Sequence, residues 1–331
     1  MRRGVIAGGN FIVDYVKTID HYPVEQTLAD IRSEYTGSGG APYNVLRCLT
    51  KLQAGLPLEA IGRIGEDEAG RYVMDDCRSL GIGIDQLRLT PGSPTSYTLV
   101  MVIEGDGRRT FFHRRGANAI LAPGDFDFNA TQAAHFHYGY VLLLDRMDEP
   151  DAEYGTGAAR VIARAKEAGL TTSIDLVSED SDRFGRIVPP ALEYADIAFM
   201  NEFEASRLTG LGFETPSPDR VGEARKQLGF RGTLVVHWPE GAAFGSPDGE
   251  LGWQGGVQIP QEMVASVAGS GDAFAAGYLL GFQRRDPPQE CLRLGVCCAA
   301  ACVMGYTCTD GVLSEQGCRL LGQRYGFRGC P

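Results

Sequence analysis

The sequence lacks the long apolar segments of a membrane protein and the basic excess of a nucleic-acid-binding protein. No stretch reaches the roughly 18 apolar residues that a spanning helix needs, and the apolar run near the N-terminus, residues 5–7, is too short for a secretion signal. The net charge is −11, whereas nucleic-acid binding depends on clustered Lys and Arg. The sequence therefore predicts a cytoplasmic protein that binds neither membrane nor nucleic acid.

Low-complexity segments, internal repeats and linkers are also missing. With 331 residues and 44% hydrophobic content, the chain is long enough to bury a sizeable core. We therefore expect a single domain over residues 1–331.

The nine cysteines do not follow the spacing of a disulfide framework or a zinc site. A zinc site usually has Cys-x-x-Cys pairs separated by a loop, and no such pairs are present. We interpret the cysteines near the C-terminus as small buried side chains in tight helix packing, and metal binding as the less favoured alternative. Six of them lie in or beside an alanine-rich helical region: Cys291, Cys297, Cys298, Cys302, Cys308 and Cys318.

Predicted strands and helices alternate along most of the chain, which is typical of βαβ units and a mostly parallel sheet with helices on both faces. The fold class is therefore α/β. Predicted strands lie at 4–9, 58–62, 135–138, 172–176, 197–200 and 233–237, and predicted helices at 43–52, 70–80, 157–168, 202–209 and 219–228.

Two segments do not follow this alternation. Residues 96–103 and 109–113 are β-rich and flank an Asp106-Gly107 turn, which predicts a hairpin. With residues 13–32, which carry scattered apolar residues and turn signals, they predict a small β appendage on the main domain.

The most informative motif is Gly269-Ser270-Gly271-Asp272, followed by an apolar run. It predicts a tight turn that opens a buried helix. Unpartnered N–H groups at a helix start, with glycines beside them, form a site for a phosphate. A carboxylate at Asp272 then suits a base that acts during phosphoryl transfer; the alternative is an aspartate that only complements the helix dipole.

Three further motifs lie near predicted strand ends or helix starts, where ligands bind in parallel sheets. Each has an ordinary structural alternative, namely a turn cap, a loop or a helix-capping pair. The three motifs and the glycine-rich motif occur together and in this order, which favours one shared site. The motifs are Gly9-Asn10-x3-Asp14, Gly39-Gly40-x3-Asn44 and Asn201-x-x-Glu204.

This set of motifs resembles the ribokinase-like family of carbohydrate kinases, also called the PfkB family. The N-terminal signature of that family is similar to Gly39-Gly40-x3-Asn44 followed by residues 61–70, and the more specific C-terminal signature is similar to residues 267–277. The resemblance extends from Gly8 to about Val312. It implies a ribokinase-like fold in which residues 13–36 and 95–115 form a small β lid, and it allows a homodimer formed through that lid.

The resemblance also implies an activity, the ATP-dependent phosphorylation of a hydroxyl on a small sugar or related polyol, with Mg²⁺. Asp272 would be the base, and Gly269, Ser270 and Gly271 would form an anion hole with Ala268. The implied sugar-binding residues are Asn10, Asp14, Gly39, Gly40, Asn44 and Arg109; for Arg109 the alternative is an exposed charge at a strand edge. The implied nucleotide-binding residues are Asn201, Glu204, Gly241 and Ala268, with Glu204 serving Mg²⁺ through water.

Several positions depart from the family pattern. Ser266 replaces an aspartate that in many members helps to organise a monovalent-cation site, so we expect weak dependence on potassium. Trp238 replaces the first glycine of a Gly-x-x-Gly loop, and we interpret it as a buried core residue. No glutamate follows the strand at 135–138, and residues 175–177 lack the common Asp-Pro-Asn run. Because these last two changes lie where sugar specificity would be set, the sequence does not identify the sugar.

Three alternatives stand beside this interpretation. A nucleoside kinase of the same fold would need aromatic stacking, for which Phe11, Tyr43 and Phe112 are candidates. A non-catalytic relative is disfavoured by the intact Gly269, Gly271 and Asp272. A nicotinamide oxidoreductase would need Gly-x-Gly-x-x-Gly after the first strand, which is missing.

Overall fold

The computed structural model describes residues 2–105 and 108–330. Asp106 and Gly107, the predicted hairpin turn, lie outside the described residues. The strands are β1 (Val5–Gly9), β2 (Ile12–Ile19), β3 (Ile31–Gly39), β4 (Leu58–Gly65), β5 (Gly83–Thr90), β6 (Ser96–Ile103), β7 (Arg109–Arg114), β8 (His135–Val141), β9 (Pro150–Asp151), β10 (Gly155–Thr156), β11 (Thr171–Leu176), β12 (Ile197–Asn201), β13 (Thr233–Trp238), β14 (Gly241–Gly245) and β15 (Leu251–Gly255). The α-helices are α1 (Ala41–Lys51), α2 (Glu68–Ser79), α3 (Gly157–Glu167), α4 (Phe184–Tyr194), α5 (Glu202–Thr209), α6 (Pro218–Gln227), α7 (Ser270–Arg284), α8 (Pro288–Cys302) and α9 (Glu315–Tyr325).

A large sheet forms the centre of the molecule, with the strand order β15-β14-β13-β12-β11-β8-β1-β4-β5. The strands from β13 to β5 are parallel to their neighbours, and β14 and β15 add an antiparallel edge. Because parallel strands all end at the same edge of a sheet, the loops after β1, β8, β11 and β12 lie side by side.

Two apolar cores cover the two faces of this sheet. Along β12, Ile197 and Phe199 belong to the core that contains α1, α2, α7, α8 and α9, whereas Ala198 and Met200 belong to the core that contains α3, α4, α5 and α6. Alternate residues of a strand point to opposite faces, so an unbroken apolar run fills both cores. The predicted α/β fold class, with helices on both faces, is confirmed.

A second, small sheet has the order β3-β2-β6-β7. The outer pairs are antiparallel, and the central β2–β6 pair is parallel. Its strands come from two separate parts of the chain, residues 12–39 and 96–114, as the irregular segments predict.

Close packing of the C-terminal helices accounts for the small, buried cysteine side chains in this part of the chain. Among residues 2–105 and 108–330, eight cysteines are buried and Cys330 is exposed. A Cβ added at Gly277 of α7 would lie 2.7 Å from Cys298 Sγ of α8, so only small residues fit between these helices.

Trp238 is also buried, as predicted, and its indole N–H donates to the Phe213 carbonyl oxygen.

Helix α4 is absent from the prediction. It contains Pro189 and Pro190 in its interior, and proline removes a backbone donor and disfavours a helix. The burial of Ile187 and Val188 in the second core outweighs that local preference. None of the helices described is long and apolar enough to cross a membrane.

Candidate active site

A cavity of about 770 Å³ lies between the carboxyl end of the large sheet, the start of α7 and one face of the small sheet. Alternate residues of the small sheet point into it, for example Asp14 of β2, Thr98 of β6 and Arg109 of β7. The cavity therefore brings together residues that are far apart in the sequence.

The glycine-rich motif forms the start of α7. Gly269 caps the helix in the left-handed region with φ 77°, and a Cβ there would lie 2.3 Å from the Cys308 carbonyl oxygen, so no other residue fits. The backbone N–H groups of Gly271 and Asp272 donate to no residue in the described part of the chain. The hydroxyl of Ser270 donates to the Val267 carbonyl oxygen at 2.9 Å, which holds the loop together. This helix start has the free donors of an anion site.

Asp272 lies beside these free N–H groups and is only 4% exposed. Its Oδ2 accepts a hydrogen bond from Asn44 Nδ2 at 2.7 Å, and the Tyr140 hydroxyl donates to Oδ1 at 2.9 Å and to Oδ2 at 3.0 Å. Burial raises the pKa of Asp272 to about 6, while these two donors act in the opposite direction. The carboxyl group is therefore held in place, and it titrates close to neutral pH.

Asn44 of α1 has an unsatisfied acceptor. Its amide nitrogen is used by Asp272, but its Oδ1 is buried and has no partner in the described residues. Because an unpaired buried polar atom is costly, and because Asn44 lines the cavity, this oxygen is suited to accept a hydrogen bond from a ligand hydroxyl.

Asp14 lines the same part of the cavity. Burial raises its pKa to about 7, and the Cys308 thiol lies 3.5 Å from its Oδ2. A Cβ on Gly39 would lie 2.3 Å from Asp14 Oδ1. Gly39 is thus needed to leave room for this carboxyl group and is not itself part of the cavity wall, whereas Gly40 is.

Tyr140 is a site residue that sequence analysis missed. It lies near the carboxyl end of β8, and that position alone is the signal that could have found it. Asn10 holds this segment, since its Oδ1 accepts from the Tyr140 N–H at 2.6 Å and its Nδ2 donates to the Leu143 carbonyl oxygen at 3.3 Å. Asn10 is fully buried behind the cavity wall and does not line the cavity.

Asn201 and Glu204 both line the cavity, and they also form a capping box at the start of α5. Asn201 Oδ1 accepts from the Glu204 N–H, and Glu204 Oε2 accepts from the Asn201 N–H, both at 2.9 Å. The Ser178 hydroxyl donates to Glu204 Oε1 at 2.7 Å. Burial raises the pKa of Glu204 to about 7. The alternative of a helix-capping pair is therefore correct as a structural description, and the pair still faces the cavity.

Comparison with known proteins identifies the family. The family model described as pfkB family carbohydrate kinase matches residues 9–315. The chain belongs to this family.

Curated relatives of this family member include kinases of several substrates. A ribokinase from Arabidopsis thaliana is 28% identical over 305 residues, which cover 90% of this chain and 76% of the relative. An ATP-dependent ribose-1-phosphate kinase from Halopiger xanaduensis is 28% identical over 300 residues, which cover 89% of this chain and 90% of the relative.

Solved structures confirm the ribokinase-like fold. The structure of Arabidopsis thaliana ribokinase complexed with ribose and ATP superposes with a TM-score of 0.78 at 23% identity, and covers 97% of this chain and 99% of that one. An adenosine kinase from Sinorhizobium meliloti superposes with a TM-score of 0.76 at 21% identity, and covers 98% of this chain and 99% of that one. Sugar and nucleoside kinases thus share this fold.

In the pfkB-family cavity, three buried carboxyl groups lie close to one another: those of Asp175, Asp272 and Glu204. Asp175 is 6% exposed, and burial together with the nearby Asp272 and Glu204 raises its pKa well above the ordinary value. Buried like charges of this kind are relieved by a bound cation. No group of three or more His, Cys, Asp or Glu side chains that could hold a metal ion lies among residues 2–105 and 108–330.

Several predicted residues lie elsewhere. Gly241 begins β14 and does not line the cavity; a Cβ there would lie 2.3 Å from the Gln254 carbonyl oxygen of β15. The stacking candidates Phe11 and Tyr43 are fully buried and stack on each other with ring centroids 5.6 Å apart. Phe112 does not line the cavity either, since its neighbours Phe111 and His113 on β7 take the inward positions. None of the three is placed to stack on a ligand in this cavity.

Proposed function

We propose that this pfkB-family protein is an ATP-dependent kinase that phosphorylates a hydroxyl group of a small sugar or related polyol in the cytoplasm. The observation that carries the proposal is the position of Asp272. Its buried carboxyl group lies beside the free N–H groups at the start of α7 and accepts a hydrogen bond from Asn44, which lines the same cavity and whose buried Oδ1 has no partner among the described residues.

In this proposal Asp272 is the general base. Because its pKa is about 6, Asp272 is ionised in most molecules at neutral pH. The ionised carboxylate is able to accept the proton of the acceptor hydroxyl. Asn44 and Tyr140 hold both carboxylate oxygens, which fixes their direction toward the acceptor. Phosphoryl transfer depends mainly on such alignment and on charge neutralisation.

The start of α7 is the proposed anion hole. The free N–H groups of Gly271 and Asp272 would donate to the transferring phosphoryl group, and Ala268, Gly269 and Ser270 would shape the loop. Because these donors are fixed by the helix, they need no reorganisation when negative charge develops.

Asp14, Asn44 and Gly40 are the proposed sugar-binding residues, since all three line the cavity near Asp272. Gly39 and Asn10 act through other residues in this proposal. Gly39 leaves room for Asp14, and Asn10 holds the segment that bears Tyr140.

Asn201, Glu204 and Ala268 are proposed to lie on the nucleotide side, and Gly241 to act there only by allowing β15 to approach β14 closely. Both Glu204 oxygens already accept hydrogen bonds, so Glu204 would contact Mg²⁺ through water, in keeping with the ion's preference to retain several waters. When bound with ATP, Mg²⁺ supplies charge neutralisation on the phosphates.

The small sheet is the proposed lid. Its inward residues form one wall of the cavity, and a lid that excludes water prevents loss of the phosphate to hydrolysis.

The small sheet also has exposed apolar side chains, namely Phe112 of β7 and Val24 and Leu28 of the β2–β3 connection, which suit a homodimer formed through this sheet. Light scattering would measure the mass of the particle, and a monomer at micromolar concentration would contradict the dimer.

The decisive experiment is an ATP-consumption screen against monosaccharides, polyols and nucleosides, with the Asp272→Asn variant as the control for contaminating kinases. We expect ADP formation that requires a sugar or polyol and disappears in the variant. Turnover of nucleosides alone would favour the nucleoside-kinase alternative. ATP consumption that the variant retains in full would contradict the proposed base.

A further inference from the structure

A histidine near the end of β13 faces the start of α7. His237 is half-buried and lines the cavity. Val235, two positions earlier on the strand, belongs to the apolar core that contains α7, and residues two apart on a strand share a face of the sheet. The side chain of His237 is therefore on the side of the sheet that holds the proposed anion hole.

One edge of the His237 imidazole lies against Gly271. A Cβ added at Gly271 would lie 3.3 Å from His237 Nε2 and 3.4 Å from Cε1. Flipping the ring exchanges these two atoms, so Nε2 is at this edge in either orientation. The Cα–Cβ direction of a helical residue tilts toward the helix N-terminus. Nε2 is therefore displaced toward the same end of α7 as the free N–H groups.

Gly271 does not need to be a glycine for its own conformation. It lies within α7 and, unlike Gly269, it does not have a positive φ. The nearest atoms that a side chain would meet at this position belong to His237. The missing side chain thus allows the imidazole to approach the helix start closely.

The imidazole of His237 has no hydrogen-bond partner in the described part of the chain. Burial lowers its pKa to about 4, with no contribution from a hydrogen bond or a charged neighbour, and its ring packs on Phe274 with the centroids 5.6 Å apart. The ring is neutral at pH 7 and carries one N–H donor. Because an unpaired polar group away from water is costly, this donor is suited to a ligand.

The position of His237 in the large sheet indicates which ligand that is. His237 pairs with Asn201 of β12, on the proposed nucleotide side. Asp272 receives its hydrogen bonds from Asn44 of α1 and Tyr140 of β8, and two strands separate β8 from β13. A phosphate at the free N–H of Gly271 would thus have the proposed base on one side and His237 on the other.

His237 is fixed by the large sheet and not by the proposed lid. Strand β13 pairs with β12 and β14 as far as its last residues. Arg109 is half-buried and approaches the loop before α7 from the small sheet, where it donates to the Ser266 hydroxyl at 3.1 Å. The imidazole therefore stands beside the helix start whatever the position of the lid.

We propose that His237 donates a hydrogen bond from Nε2 to the phosphoryl group that ATP transfers. This inference rests on the proposed function. The acceptor hydroxyl gives its proton to Asp272, its oxygen forms a bond to the γ-phosphorus, and the bond from that phosphorus to the ADP oxygen breaks. His237 keeps its proton in this step. A phosphate oxygen only accepts, so it selects the tautomer with hydrogen on Nε2, and a donor fixed in advance stabilises the negative charge on the transferred group.

Two variants separate a hydrogen bond from packing. His237→Phe keeps a ring against Phe274 and has no donor, whereas His237→Gln loses the ring and keeps an N–H donor. With an acceptor found in the ATP-consumption screen, we expect His237→Phe to lower kcat about 10- to 100-fold. His237→Gln should be at least about fivefold more active than His237→Phe.

Thr233→Val is the matched control, because Thr233 begins the same strand and does not line the cavity; it should retain the kcat of the unmodified protein. Melting temperatures show that each variant is folded. Unchanged kcat in His237→Phe would overturn the proposal. A larger loss in His237→Gln than in His237→Phe would overturn it too, because that result assigns the ring to packing.

A spectroscopic measurement on the unmodified protein separates this inference from the proposed function. The ¹⁵N signals of the His237 ring, assigned by their absence from His237→Gln, should shift when the non-hydrolysable analogue AMP-PNP is added with Mg²⁺, and much less with ADP. That result would support the role of His237 even if no acceptor were phosphorylated. An active kinase whose His237 signals do not respond to AMP-PNP, or respond equally to ADP, would overturn the inference and leave the proposed function intact.

Discussion

At the scale of single residues, the environment of Asp272 determines what the site is able to do. We expect Asp272→Asn to lower kcat about 10²- to 10⁴-fold, because the amide keeps the shape of the side chain and cannot accept the proton. Sugar and ATP dissociation constants, measured by calorimetry, should change only a few-fold. Asp75→Asn, at an exposed position on α2, is the control. Activity of Asp272→Asn close to that of the unmodified protein would exclude Asp272 as the base.

The hydroxyl of Tyr140 tunes the same carboxyl group. Asp272 must be ionised to accept a proton, so kcat/KM should rise with pH through its pKa of about 6. The Tyr140 hydrogen bond favours the ionised form and lowers this pKa. Tyr140→Phe should therefore move the acidic limb of the pH profile of kcat/KM to higher pH.

Tyr138→Phe provides the control for this profile. Tyr138 is on the same strand, and its buried hydroxyl has no partner among the described residues. Its loss should leave the acidic limb in place. An unshifted limb in Tyr140→Phe would show that the tyrosine acts only in packing.

At the scale of elements, the start of α5 combines a structural and a proposed functional role. Glu204→Gln keeps a side-chain oxygen for the capping box but removes the charge, so it should raise the Mg²⁺ concentration needed for half-maximal activity. Because burial raises the pKa of Glu204 to about 7, loss of this ionisation should not lower the free energy of unfolding at pH 8. Glu204→Ala loses the capping interaction as well and should also lower the free energy of unfolding by about 1 kcal/mol. An identical Mg²⁺ titration in Glu204→Gln would leave Glu204 with the capping role alone.

The loop before α7 makes potassium activation unfavourable. Ser266 has no charge to offer a monovalent cation, and the Arg109 guanidinium donates to its hydroxyl at 3.1 Å, which adds repulsion between like charges. We expect rates in potassium, sodium and a bulky organic cation to agree within about twofold at equal ionic strength, because screening of exposed charges is then the same. A large, saturable stimulation by potassium would reveal other ligands for the ion.

At the scale of the whole molecule, the buried acids of the site should make stability depend on pH. Burial raises the pKa of Asp14 and Glu204 to about 7, and of Asp148 and Asp272 to about 6. In the unfolded chain such groups titrate near pH 4, so between about pH 4 and pH 7 the folded state holds protons that the unfolded state has released. The contribution of these groups to the free energy of unfolding therefore falls as pH rises through this window.

Burial lowers the pKa of His135, His137 and His237 and acts in the opposite direction below about pH 6.5, so the test compares each variant with the unmodified protein at pH 5.5 and at pH 8. Asp14→Asn should raise the melting temperature at pH 8 more than at pH 5.5, since it removes one of these ionisations. Asp75→Asn, at its exposed position, should leave the melting temperature unchanged at both pH values. A change of melting temperature in Asp14→Asn that is equal at the two pH values would contradict the raised pKa of Asp14.

The sequence by itself determined the fold class and the start of α7. Apolar runs alternating with amphipathic helices allow only a mostly parallel sheet covered on both faces. The order Gly269-Ser270-Gly271-Asp272 predicts a helix start with free N–H groups, because these properties are local. For the same reason helix α5, Glu202–Thr209, has the predicted bounds, since Asn201 and Glu204 cap it from within four residues.

The tertiary structure alone decided which residues share the cavity. Tyr140 reaches Asp272 across 132 positions of the chain, and Arg109 reaches Ser266 across 157; no local pattern encodes either contact. The same packing moved Asn10 behind the wall, stacked Phe11 on Tyr43 in the core, and kept Gly241 in the β14–β15 pairing. Residue type and spacing specify local conformation, whereas the partners of a side chain depend on how distant strands and helices pack together.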